Sequence, residues 1–227
     1  MKHKIFRLSI ITVTLLIASN LSAQIIKGEA IAGINLSQVD GDMFYGFHKF
    51  GVQIGAGAMI PFGTNWDVSV EALYNQKGAR ERSDIPDTIC TYDYKLRLNY
   101  AEVPVIVHYT DKEFITAGAG FSWGRLVGVS EWENEIKTGV NTKSGTYKIN
   151  DFNIIADVRI RIKGPLKLNV RYAYSLVPLR TREFTNCDTF TKFTRQQYNN
   201  LLTFRLVYMF GEERSRENFK RLKSGVD

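Results

Sequence analysis

Residues 55–80 read GAGAMIPFGTNWDVSVEALYNQKGAR. Small apolar residues run up to Ile60, the five residues 61–65 make a turn, and strict alternation follows. Trp66, Val68, Val70, Ala72 and Tyr74 fall on one face, and Asp67, Ser69, Glu71 and Asn75 on the other. Period-2 alternation marks a strand with two unlike faces. A soluble protein would turn the apolar face to its core, whereas a membrane barrel turns it to lipid. The fold therefore depends on which solvent meets Val70 and which meets Glu71.

Working outward, the same pattern recurs in eight segments: 26–36, 51–60, 66–77, 94–109, 114–129, 151–162, 166–176 and 200–210. Most are longer than the five or six residues usual for a globular strand. They suit a tilted membrane strand, which needs about nine to eleven. The connections alternate in length. PFGTN (61–65), TDKE (110–113) and KGP (163–165) are short, whereas 37–50, 78–93, 130–150 and 177–199 are long and polar. Short periplasmic turns alternating with long external loops are the rhythm of an outer-membrane barrel, with an even strand number and both ends in the periplasm. The expected fold is all-β: an eight-stranded antiparallel up-and-down transmembrane barrel.

The faces agree. Phe152, Ile154, Ala156, Val158, Ile160 and Ile162 share one side of the sixth segment. Leu166, Leu168, Val170, Tyr172, Tyr174 and Leu176 share one side of the seventh, and Leu202, Phe204, Leu206, Tyr208 and Phe210 one side of the eighth. Trp66, Tyr109, Phe114, Trp123, Tyr172, Tyr174, Tyr208 and Phe210 sit toward strand ends, as interfacial aromatic girdles do. Glycines and alanines at 51, 55–58, 118–120, 124 and 128 leave room for curvature and for large neighbours.

The opposite faces define an interior charge network of Glu71, Arg97, Asp157, Arg159, Arg161, Arg171 and Arg205, with Glu102 a further candidate. Buried charges must be paired, and eight strands enclose only enough space for side chains. The set reads as a salt-bridged plug rather than a solute path. In the fourth segment Leu96, Leu98 and Tyr100 have one parity and Val103, Val105, Val107 and Tyr109 the other. This predicts a β-bulge near Ala101–Glu102, next to Pro104, which has no donor for the ladder.

The chain opens MKHKIFRLSIITVTLLIASNLSAQ. Lys2, Lys4 and Arg7 precede a short apolar run, and small residues lead to cleavage between Ala23 and Gln24, so residues 1–23 read as a secretory signal peptide. Residues 24–211 read as the barrel and 212–227 as a charged periplasmic tail. The whole chain carries a net +7; removing the three basic residues of the leader leaves 27 against 23 acids, a net +4. That mild, dispersed charge gives no footprint for nucleic acid.

Export permits a disulfide between Cys90 in the second outer loop and Cys187 in the fourth. Among histidines beyond the leader, His48 has Ser37 and Asp42 near it in sequence and His108 lies toward the periplasmic end. There is no Gly-x-Ser-x-Gly elbow, no paired-histidine metal spacing, no P-loop and no dinucleotide fingerprint. Neither catalysis nor a cofactor is expected. The expected partners are outer-membrane lipid and other envelope or secretion proteins, and the barrel is expected to be monomeric.

The stretches AGINLSQVDGD (32–42), KFGVQIGAGAMI (49–60), WDVSVEALYNQKGA (66–79), YAEVPVIVHY (100–109), AGAGFSWGRL (117–126), LNVRYAYSL (168–176) and LTFRLVYMF (202–210) follow one another in an order that resembles the PorT-like outer-membrane β-barrel family of Bacteroidetes, over roughly residues 24–211. The resemblance implies an eight-stranded outer-membrane barrel, and for the family's namesake a part in type IX protein secretion. The charged tail after Phe210 departs from barrels that end on an aromatic residue. The expected function is a structural, adhesive or envelope-assembly role through the external loops; the alternatives are a subunit of a type IX secretion system, a narrow porin-like channel and a soluble lipocalin-like binder.

Overall fold

A computed structural model describes residues 26–41, 46–81, 93–185, 191–213 and 215. The leader with its Ala23–Gln24 junction, both cysteines, Asp42 and nearly all of the tail lie outside the described residues. Within them the chain forms β1 (Lys27–Asp40), β2 (Lys49–Pro61), β3 (Trp66–Glu81), β4 (Tyr94–Asp111), β5 (Ile115–Glu133), β6 (Ile136–Lys137), β7 (Asn150–Lys163), β8 (Leu166–Ser175), β9 (Arg180–Thr185) and β10 (Lys192–Phe210). The order β1-β2-β3-β4-β5-β7-β8-β10, closed by β10 on β1, is an eight-stranded antiparallel up-and-down barrel. Closure pairs Gly28 with Phe210 and Asp40 with Tyr198, so both edges vanish along the full length of β1. The small strand β6 pairs with β5, and β9 pairs with the outer end of β10.

The apolar faces point outward. Val70, Val105, Ile154 and Leu206 are each between 42% and 49% exposed, while Ser69, Glu71, Arg159 and Arg205 are sealed inside. An exposed apolar belt around buried charges cannot be a soluble pocket protein, so the lipocalin-like alternative falls. The belt spans Trp66–Tyr74 on β3, Ala101–Tyr109 on β4 and Leu202–Phe210 on β10, a span that fits a bilayer core. Trp66 meets Tyr109 edge-on at 5.0 Å, and Tyr208 meets Phe210 at 4.8 Å, both at the short-turn rim. The turn after β4 is tight because Lys112 and Glu113 both take left-handed φ, 45° and 60°, as a type I′ hairpin requires.

Two expectations are corrected on β4. Tyr94, Leu96, Leu98, Tyr100, Glu102, Pro104, Ile106 and His108 all face inward, so there is no parity flip at Ala101–Glu102. The register shift lies instead on β5: Asn99 pairs with Gly128 but Tyr100 with Leu126, which leaves Val127 as the extra residue. The change of apolar parity along β4 is a change of surroundings. From Ala101 toward the periplasm the apolar side chains meet lipid, and from Tyr100 toward the outer end they fill the barrel. Arg97 consequently points outward, not into the lumen, and its guanidinium lies 5.6 Å from the Trp132 ring.

The strands also run further than alternation suggested. Val39, Ala79, Tyr94, Leu96, Leu98, Tyr100, Leu126, Tyr147 and Leu179 form an apolar core inside the outer end of the barrel. Here water is the outer solvent, and apolar-inside logic returns. Gly78 allows β3 to continue into this head: its φ is +139°, and a Cβ there would stand 2.1 Å from the Leu96 carbonyl oxygen. The segment 177–199, expected as loop, instead holds the β9–β10 hairpin, with Phe184 stacked on Phe193.

Candidate functional site

The lumen at belt level is organised by Glu71 on β3. Inward parity brings it opposite Arg171 on β8 and Arg205 on β10, with Arg159 on β7 beside them. Arg171 donates from Nη1 and Nη2 to the two Glu71 oxygens at 2.9 and 2.8 Å. Arg205 donates at 2.9 Å and Arg159 at 3.1 Å. Arg159 also reaches Glu29 on β1 at 2.6 Å, and Arg171 reaches Asp157 at 2.9 Å. Three guanidiniums thus meet three carboxylates, and the layer is neutral. Of the charge network expected from sequence, Glu71, Asp157, Arg159, Arg171 and Arg205 come together.

Arg161 does not join them. It sits at the periplasmic rim, where its two terminal nitrogens clamp Glu212 at 3.0 and 2.8 Å, with Lys167 on the same carboxylate at 3.0 Å. Burial pushes the Glu212 carboxyl up, but the Arg161 hydrogen bonds and the Lys167 ammonium outweigh it and hold the group at about 2. Because the folded value lies below the unfolded value of about 4.3, this clamp stabilises fully above that value and fades as pH falls toward 2. Glu212→Gln is expected to flatten the stability change between about pH 5 and pH 2, read by denaturant titration at each pH. An unchanged acid limb would show that the clamp contributes nothing.

Toward the outer side lies a second layer, of which sequence reasoning named Glu102 as a candidate and missed Lys77 and Asp151. The Lys77 ammonium lies 3.0 Å from Asp151 and 3.4 Å from Glu102, and sits 5.0 Å from the centre of the Tyr100 ring. Asn75 and Ser122 donate to Glu102 at 2.6 and 2.5 Å, and Ser175 and Asn199 to Asp151 at 2.5 and 3.1 Å. The parity of Glu71 extends to Lys77, and that of Asp157 to Asp151, so the signal was present. Above this layer the apolar core closes the outer mouth. There Glu131 accepts from Tyr94 at 2.8 Å, Tyr147 at 3.0 Å and Arg180 at 2.8 Å. Burial raises the Glu131 carboxyl, and the Arg180 guanidinium and these hydrogen bonds bring it below its usual range. The Tyr147 hydroxyl is pushed up, first by burial and then by Tyr94.

The histidines separate. His48 is exposed in the first outer loop. Of the two residues grouped with it, Ser37 is buried and donates to the Gly78 carbonyl at 2.9 Å, and Asp42 lies outside the described residues. His108 faces the lumen, with Ser69 Oγ 2.8 Å from Nε2 and Asp157 Oδ1 3.5 Å from Nδ1. A Cβ on Gly118 would lie 2.5 Å from Nδ1, so glycine there makes room for the ring. The serine–histidine–aspartate line has the residue types of a hydrolase triad but not its working surroundings. All three side chains are sealed, and Arg159 Nη2 stands 3.3 Å from Nε2, where a general base would need that nitrogen for serine alone. Among the described residues no cluster of three or more His, Cys, Asp or Glu side chains is placed to hold a metal ion.

Residues 23–180 match the family described as outer membrane protein beta-barrel domain. None of the curated proteins matches the chain. Among solved structures, Ail, the attachment invasion locus protein of Yersinia pestis, is 11% identical, with 81% of this chain and 98% of that one covered and a TM-score of 0.46. Neisserial surface protein A is 9% identical over 81% and 96% of the two chains, with a TM-score of 0.44. A major outer membrane protein from Thermus thermophilus is 13% identical over 82% and 99%, with a TM-score of 0.43.

Proposed function

The chain belongs to the outer membrane protein beta-barrel domain family and resides in the outer membrane, and from that premise we propose that it is a sealed barrel whose outer head binds a component of the envelope or of the cell's surroundings. One observation carries this reading. On the long-loop side the strands continue past the lipid belt into a head with its own apolar core, extended further by the β9–β10 hairpin. A barrel that only filled space in the membrane would gain nothing from that head. The aromatic and basic faces of the hairpin, with Arg182 over Phe184 at 5.4 Å and Arg195 over Phe193 at 5.1 Å, are its most outward features. Such amphipathic side chains are the common anchors of recognition surfaces.

The filled lumen argues against a channel. Protein reconstituted in planar bilayers is expected to give no steady single-channel current, and a reproducible conductance removed by substituting Arg159 would overturn the sealed reading. The surface role has its own test. Intact cells carrying either the full chain or a form with residues 182–195 replaced by a short glycine link are treated with a membrane-impermeant lysine crosslinker. Adducts lost with the hairpin, while the barrel still shows heat-modifiable migration, support the proposal. Adducts unaffected by the replacement, and made instead with secretion-machinery proteins, would favour the secretion role that the PorT-like resemblance implies.

A further inference from the structure

The outward face above the lipid belt is not evenly charged. On the wall formed by β3, β4 and β5 it presents Arg80, Lys95, Arg97 and Arg125. Arg80 and Lys95 are direct cross-strand partners, and Lys95 pairs in turn with Trp132. Like charges directly opposite each other destabilise a sheet, so this pairing calls for an explanation. Arg97 stands one outward position nearer the membrane, its guanidinium 5.6 Å from the Trp132 ring, and the Lys95 ammonium is 4.8 Å from the same ring. Arg125 lies lower again, opposite Ala101, where the apolar belt ends.

Among the described residues none of these four makes an ion pair. Asp93 and Glu135 line a cleft of about 270 Å³ with Arg80, Lys95 and Trp132; Asp93 meets Asn134 through its backbone N–H, and no ion pair joins either carboxylate to the four cations. Lys49, at the neighbouring outer end of β2, registers the excess charge: burial first, then Lys95, Arg97 and Arg80, hold its ammonium below the usual range. Elsewhere along the outer ends of the strands the outward positions include Gln38, Asp40, Asn150, Tyr174, Tyr198 and Asn200, and the exposed cation Lys148, just before β7, stands alone there rather than in a cluster.

The height of the cluster identifies its ligand. Arg125 and Arg97 flank the upper boundary of the belt, the depth of the headgroups of the outer leaflet, and long basic side chains there extend along the wall toward phosphate. We propose that the β3–β5 wall is a binding site for the phosphate groups of an outer-leaflet glycolipid, with Arg80, Lys95, Arg97 and Arg125 as the cationic contacts and Trp132 as the surface that holds two of them in place. Arginine gives phosphate a bidentate partner, and its stacking on the indole reduces the freedom lost on binding. The Arg80–Lys95 pair, which has no ion pair among the described residues, is then neutralised by the lipid. The site lies on the barrel wall and is separate from the loop surface proposed above.

The test uses the full mature chain refolded in zwitterionic micelles. Trp66→Phe and Trp123→Phe leave Trp132 as the one emitter, since the chain has three tryptophans. Diphosphorylated lipid A is expected to shift Trp132 emission and to appear as a bound adduct by native mass spectrometry, whereas the same lipid stripped of phosphate does neither. The triple variant Arg80→Gln/Lys95→Gln/Arg97→Gln should bind roughly a hundredfold more weakly, at about fivefold per cation. The control Lys112→Gln/Lys163→Gln, which removes exposed cations from the periplasmic rim, should bind as the parent does. Heat-modifiable migration confirms that each variant is a closed barrel. If the triple variant binds like the parent, or both lipids bind alike, the site is refuted. Displacement of the lipid by millimolar inorganic phosphate would also refute the lipid assignment and make the wall a free-phosphate site.

Discussion

Replacing Glu71 by alanine is expected to lower the unfolding free energy by about 3–5 kcal/mol. The side chain accepts hydrogen bonds from Arg159, Arg171 and Arg205. Only Glu29 and Asp157 would then remain against three guanidiniums, leaving one buried positive charge without a partner carboxylate. Glu71→Gln keeps the volume but not the charge, and should cost nearly as much. The double variant Glu71→Gln/Arg205→Met restores neutrality and should recover part of the loss, because removing a whole buried pair is far less costly than removing half of it. Arg205 is the partner to choose: Arg159 has Glu29 at 2.6 Å and Arg171 has Asp157 at 2.9 Å, whereas the Arg205–Asp157 separation is 3.6 Å. Urea titration of barrels refolded in lipid vesicles, read by the folded gel band, gives the numbers. An unchanged midpoint for Glu71→Ala would mean that the arginines find other partners or water. A double variant no better than the single would mean that packing, not charge, sets the cost.

Much of this network could be read from the chain because parity survives folding. Once Trp66 and Val70 face lipid, Glu71 has to face the lumen, and the same argument carries Asp157, Arg159, Arg171 and Arg205 inward. The misreadings arise where the outer solvent changes. Leu96 and Leu98 are apolar because they fill the head, and Val103 and Val105 because they touch lipid; a rule that ties apolar residues to one face reports this as a bulge and sends Arg97 the wrong way. The actual register shift at Val127 falls in VGVS (127–130), where glycine and mixed polarity leave no alternation to break. The β9–β10 hairpin stands in water, with polar residues such as Thr181, Thr194 and Gln196 among its aromatics, so it has no strong two-faced pattern. Parity alone puts Arg161 with the lumen residues. Its partner Glu212 follows the last strand, and nothing in local sequence links a residue beyond the barrel to the end of β7.

The exchange of solvents along one strand gives the second large prediction. Asn99 and Val105 lie on the same outward face of β4, six residues apart, and Val105 is 48% exposed. Val105→Arg puts a cation on the lipid face near the middle of the belt, where the cost is about 2–4 kcal/mol. Asn99→Arg places the same side chain above the belt, beside Arg97 and Gln76, where a substitution in contact with water should change stability by about 0.5 kcal/mol or less. Val105 pairs with Val70 across the β3–β4 ladder and with Phe121 across β4–β5, so no acid is at hand to neutralise the new charge. Refolding yield and urea midpoint in vesicles of matched thickness separate the two variants. Equal costs would put both positions in one environment and move the outer boundary of the belt above Asn99, into the wall assigned to phosphate. A difference confined to Val105 fixes that boundary between the two residues. It would also mean that Arg97, Lys95 and Arg80 carry their charge at headgroup level rather than in hydrocarbon, the placement on which the phosphate site depends.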